Sequence, residues 1–169
     1  MKKYQCSWLI TVCVVFFNLA LYANNSSPQD PYFLDKLKQG TPSEAQIGAV
    51  AIANLNLNRQ GNVIVVYPKE KVFAMVNIAC DANDIDPHTL HQIVVGYEGG
   101  EAQKCIFNEF RYRLGSSITS FFLQAPETPG VYNIQFKLEQ AHSPLEAMQC
   151  WGDETAEQMI IGKIIVLEQ

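Results

Sequence analysis

The run Val131-Tyr132-Asn133-Ile134-Gln135-Phe136-Lys137-Leu138 changes polarity at almost every step. Tyr132, Ile134, Phe136 and Leu138 fall on one side, and Val131, Asn133, Gln135 and Lys137 on the other. A period of two is that of a β-strand with one face against a core, because successive side chains leave a pleated backbone in opposite directions. Residues 72–80 repeat it, with Val72, Ala74, Val76 and Ile78 opposed to Phe73, Met75 and Asn77. Both of those faces are largely apolar, which predicts a central strand covered on each side.

Outward from these two runs the same punctuation recurs. Strands are expected over residues 47–57, 63–67, 91–97, 104–107, 117–123 and 159–167, separated by polar or Gly/Pro-rich turns. Pro68 interrupts the second of them, as proline does at an edge or bulge. Gly162, inside the last, hints at a bulge or a close backbone approach. Helical character is confined to one or two turns at residues 32–37, started by Pro31, and to a weak candidate at residues 143–148. About eight β-segments without a sustained 3.6-residue period give an all-β chain, a sandwich or barrel.

The N-terminus reads differently. Lys2 and Lys3 precede an apolar run of 14 residues, Trp8 to Leu21, and Ala23 is followed by the polar Asn24-Asn25-Ser26-Ser27-Pro28. That layout is a secretory signal peptide, residues 1–23. A bilayer span takes about 20 apolar residues, and this run is shorter and broken by Asn18. The expected location is therefore outside the cytoplasm, in the periplasm or the medium. Residues 24–46 read as a mostly irregular leader and residues 47–169 as one β-sandwich domain. Loss of Lys2 and Lys3 with the signal takes the formal charge from −5 to −7. Lys104, Arg111 and Arg113 are the nearest approach to a basic group, so nucleic acid is an unfit partner: phosphate contacts need cations gathered on one face.

The stretch from Phe121 to Phe136, Phe-Phe-Leu-Gln-Ala-Pro-Glu-Thr-Pro-Gly-Val-Tyr-Asn-Ile-Gln-Phe, resembles the E-strand, corner and F-strand of immunoglobulin-like sandwich domains. The resemblance implies an Ig-like antiparallel β-sandwich of about seven or eight strands, with Tyr132 hydrogen-bonding back across the corner. It also implies that loops 81–89 and 139–157 leave one end of the sandwich. Cys80 and Cys150 would then face each other as a disulfide, closing a loop of about 70 residues worth roughly 2–4 kcal/mol. Cys105 would be the odd thiol, with a Cys80–Cys105 bridge as the rival pairing.

Chemistry-bearing constellations are sparse. Asp81-Ala82-Asn83-Asp84-Ile85-Asp86 resembles a calcium loop but sets Ile85 at a ligand position and Gln92 where a bidentate Glu belongs, so it reads as a solvated turn. Cys80, His88 and His91 do not make a zinc set. No Gly-x-Ser-x-Gly elbow is present, and Glu98 and Glu101 flank a Gly-Gly hairpin tip, where charges are normally solvated. No metal or cofactor is expected, and no catalytic residue. The better indication is aromatic: Tyr97, Phe107, Phe110, Tyr112 and Trp151 lie in or near loops. Phe110, Arg111, Tyr112 and Arg113, with Trp151, form the expected binding surface of a non-catalytic module for a protein or surface glycan. The alternatives are a dedicated carbohydrate-binding module and a small extracytoplasmic hydrolase.

Overall fold

The computed structural model describes residues 31–48, 50–80, 91–109, 115–152 and 158–168. The expected signal peptide and the acidic turn at 81–86 lie outside the described residues.

The chain is all-β, in two sheets. Strands β1 (Glu44–Ile47), β2 (Val50–Leu57), β4 (Lys71–Cys80) and β7 (Gly115–Gln124) form the first, in the order β1-β2-β4-β7. The second holds β3 (Val63–Val66), β9 (Gln158–Val166), β8 (Gly130–Glu139), β5 (His91–Tyr97) and β6 (Ala102–Glu109), in the order β3-β9-β8-β5-β6. Two short helices complete the described residues, α1 (Pro31–Gln39) and α2 (Pro144–Gln149), the latter followed by a 3-10 turn at Cys150–Gly152. Ser143 caps α2, its hydroxyl accepting from the Glu146 N–H at 3.2 Å.

The alternation expected of β8 and β4 builds the core. Ile78, Val95, Ile134 and Ile164, one from each of four strands, are all buried between the sheets, with Phe136, Val72 and Leu123 among them. Beside Gly162 the β8–β9 register slips by one residue: Ile134 pairs with Gly162 and Gln135 with Ile160. A Cβ on Gly162 would stand 2.4 Å from Leu55 Cδ2 and 3.1 Å from the Asn62 carbonyl. The glycine is there because the first sheet and the 58–62 turn press on the backbone at that point.

Three features depart from the sequence reading. Residues 44–57 form a hairpin of two strands rather than one strand, turned at Gly48, so β1 begins inside the segment read as leader. The chain then changes sheets across residues 58–62, and β3 pairs parallel with β9 while every other pairing is antiparallel. Nor do the described residues cover β4 on both sides. It is central in its sheet, but Phe73, Met75 and Asn77 on its outer face are half-buried and no described element lies over them.

The outer face of the second sheet is covered instead. Val94, opposite in direction to Ile93 and Val95, packs with Ala141, Ala147 and Trp151 in a second, smaller apolar cluster. Residues 139–152 therefore fold back over β5, β6 and β8. That corrects the expected bridge. Cys80 ends β4 in the first sheet, opposite Val50 and Gly115. Cys150 opens the 3-10 turn after α2, which packs against the far side of the second sheet, and it is a free thiol. The thickness of a sheet stands between them. Cys105, also free, lies within β6, not at the start of a strand, and its S–H donates to the Phe107 carbonyl at 3.1 Å. Burial pushes its thiol pKa up.

Candidate functional site

At one end of the sandwich the connections β3–β4, β5–β6 and β7–β8 surround a depression of about 390 Å³. Tyr97 and Tyr132 bring apolar ring to it, and Lys69, Glu98, Glu101, Gln103, Gln124 and Thr128 bring polar groups. The rings meet edge to face, centroids 6.0 Å apart at 63°.

Each tyrosine is held by its hydroxyl. Tyr132 O–H donates to the Thr128 carbonyl at 2.9 Å and shares a 2.5 Å hydrogen bond with Thr128 Oγ1. The corner bond expected from residues 121–136 is present, and the phenol ties the loop that forms one wall. Tyr97 O–H donates to the Gln124 carbonyl at 3.1 Å from a side chain only 4% exposed. Burial drives its pKa far above the ordinary 10.0.

That shift has a pH signature. An unfolded chain ionises its tyrosine near 10.0, whereas the folded site keeps the Tyr97 phenol neutral. The stabilisation is complete below that value and is lost as the pH climbs beyond it, because deprotonation then favours the unfolded chain. Tyr97→Phe removes the group, costs about 1 kcal/mol of hydrogen bonding at neutral pH, and should flatten the alkaline decline. Urea midpoints of both proteins from neutral to strongly alkaline pH check this; parallel declines would contradict it.

The walls are polar and mostly planar. Gln103 Oε1 accepts from the Gln124 N–H at 3.3 Å, which leaves the Gln103 amide N–H groups as donors. Gln124 Nε2 is spent on the Lys69 carbonyl at 2.8 Å. Glu98 Oε2 accepts from Asn133 Nδ2 at 2.6 Å, keeping its second oxygen for solvent or ligand. Lys69 pairs with Glu127 at 2.9 Å, both well exposed, a pair that adds little stability. Glu98, Glu101 and Glu127 against Lys69 leave the lining two charges negative. The arrangement suits neutral hydroxyl groups and repels anions.

Of the residues singled out in the sequence, Phe110, Arg111, Tyr112 and Arg113 lie outside the described residues. Trp151 is not on a surface: it is 6% exposed. A Cβ on Gly96 would stand 2.7 Å from its ring, so β5 gives up a side chain to admit the indole. Its Nε1–H donates to the Tyr97 carbonyl at 3.4 Å, and the Lys137 ammonium lies 5.2 Å over the ring while donating to the Trp151 carbonyl. Tyr97 is buried as well, and Phe107 packs against the main core. Among the described residues the exposed aromatics are instead Tyr67 and Phe122. Glu98 and Glu101 are exposed at the hairpin tip, as the Gly-Gly turn predicted. What the sequence reading missed was that this tip, the Tyr132 corner and the 67–70 turn meet. Pro68 and Pro129-Gly130 marked two of the corners but not their proximity.

Among the described residues no group of three or more His, Cys, Asp or Glu could hold a metal ion. Likewise, no described helix is long and apolar enough to cross a membrane. No protein family matches the chain, and no curated protein is similar to it. Among solved structures it is similar to the crystal structure of the C-terminal domain of wzt, at 13% sequence identity and a TM-score of 0.44, covering 80% of this chain and 89% of that one.

Proposed function

We propose that this chain is an exported, non-catalytic binding module of immunoglobulin-like topology, and that the depression beside Tyr132 takes a neutral, hydroxyl-rich ligand of the saccharide class. The strand order supports the topology. Strands β4 and β7 pair in one sheet, β5, β8 and β9 in the other, and the first segment is split between them as β2 and β3. The Tyr132–Thr128 bond is the corner feature of that fold.

The observation that carries the ligand class is the lining itself. Planar amide and carboxylate groups from Gln103, Glu98 and Glu101 surround a tyrosine ring, in a concavity large enough for a sugar ring or two. Vicinal hydroxyls both donate and accept, and so match a wall that does the same. The tyrosine hydroxyls, both committed to main-chain carbonyls, support a role for the rings in holding a ligand rather than in reacting with it.

A glycan array probed with the protein, followed by calorimetric titration of the best ligand, tests the reading. Neutral oligosaccharides should be retained over anionic ones. Gln103→Ala should weaken binding about tenfold, the value of one or two hydrogen bonds, with only the small loss of stability expected from the long, exposed Gln124 N–H bond it also removes. An array with no retained glycan, or full affinity in Gln103→Ala, would refute the ligand class. Export is tested separately: protein recovered from outside the cytoplasm should begin at Asn24.

A further inference from the structure

Four strands lie at sheet edges: β1, β7, β3 and β6. Natural edges are blunted by shortness, charge, proline or bulges, since a free row of N–H and C=O groups templates another strand. β1 and β3 have four residues each. β6 carries Lys104 and Glu109 and slips register twice against β5. β7 has neither shortness, charge, proline nor bulge, although β6 of the other sheet runs beside it and caps its end through Gln103. Its ten residues, Gly-Ser-Ser-Ile-Thr-Ser-Phe-Phe-Leu-Gln, contain no charge and no proline. It pairs with β4 without a shift from Gly115 to Gln124.

The outward groups of β7 can be placed. In an antiparallel ladder the N–H and C=O of one residue point to the same neighbour, and alternate residues point the other way. Gln124 shows both groups turned from β4, its N–H donating to Gln103 Oε1 and its C=O accepting from Tyr97. Phe122, Ser120 and Ile118 share that direction, and no described residue pairs with them there. The same residues carry their side chains on the outer face, over which no described element lies: Ile118 is 72% and Phe122 51% exposed, the Phe122 ring resting beside Phe73 with the Lys71 ammonium 4.1 Å over it.

We propose that β7 pairs antiparallel with β7 of a second copy about a two-fold axis at Ser120, joining two four-stranded sheets into one. This register sets Ser120 against its mate and Ile118 against the second copy's Phe122, twice over. Two of the exposed large apolar side chains among the described residues cover each other, and three residue pairs exchange about six N–H···O bonds. A two-fold brings every axial residue against its like, so an uncharged strand is what such an interface needs. Neighbouring registers fail at the ends. An axis at Phe122 would set Ser120 against Gln124, whose groups are already capped by Gln103 and Tyr97. An axis at Ile118 would set Ile118 against its mate but leave Phe122 opposite residue 114, beyond the start of β7 at Gly115, and so without its apolar cover.

Sedimentation equilibrium of the protein recovered from cells expressing the full chain tests this, with circular dichroism confirming the β-signal of each variant. The wild type should be a dimer at micromolar concentration. Ser120→Lys and Ser120→Glu each set like charges together at the axis and should raise the dimer dissociation constant about 100-fold. Mixing the two should restore a dimer containing one of each, which a merely destabilised fold would not do. A monomeric wild type, a dimer undiminished in Ser120→Lys, or a mixture that stays monomeric would overturn the proposal.

Discussion

Trp151→Ala is expected to lower stability by about 3–5 kcal/mol, the range for truncating a large buried aromatic. The indole fills the space left by Gly96 and packs with Val94 and Ala147, sealing the outer face of the second sheet. Truncation removes more than apolar contact. Lys137, 3% exposed, keeps its ammonium between the Trp151 ring and carbonyl, and without the ring that charge loses one of its stabilising neighbours. The loss should be greatest where the indole pins the chain. Amide hydrogens of residues 144–152 should exchange much faster, while those of β4 and β7 change in step with global stability. A urea midpoint within 1 kcal/mol of wild type, with unchanged exchange in α2, would show that the second cluster does not hold the segment down.

The second large effect belongs to the main core. Phe136 is fully buried at the middle of β8, itself flanked by β5 and β9. Phe136→Ala leaves a cavity between two sheets that cannot collapse without breaking their ladders, and should cost about 3–5 kcal/mol. Phe136→Leu, which keeps most of the volume, should cost less than half as much. Denaturant unfolding with a constant m-value would give the comparison directly. A Phe136→Ala protein as stable as the wild type would place that side chain outside the core.

These two aromatics mark how far the sequence could be read. Phe136 was legible because Ile134, Phe136 and Leu138 alternate with polar neighbours, and alternation is written into each residue's own backbone. Trp151 was not. It stands next to Cys150 and Gly152 in a segment without period, and its burial depends on Gly96, 55 positions earlier. A glycine between Val95 and Tyr97 in an otherwise apolar strand was the available hint, since a strand gives up a side chain where something must approach. The same distance effect undid the expected Cys80–Cys150 bridge. Strand β5 does begin beside the end of β8, as the pairing of Gln92 with Glu139 shows, but residues 140–152 then double back over the second sheet.

The candidate site was legible in its parts. The Tyr132 corner followed from Pro129-Gly130 and the strand after it, and the exposed Glu98 and Glu101 from the hairpin between them. Their meeting with Lys69 and Gln103 was not written locally, because three connections converge there from three separate strand pairs.

By itself, then, the order of amino acids determined that this chain forms strands, about where most of them run, and which side of the alternating ones such as β8 faces inward, because a pleated backbone sends neighbouring side chains to opposite faces regardless of what lies beyond. Only the folded molecule decided what covers the outer faces: Trp151 and α2 over the second sheet, and nothing described over β4 and β7 in the first. Those contacts join segments tens of residues apart, and their free energy resides in the fit between surfaces that no local period encodes.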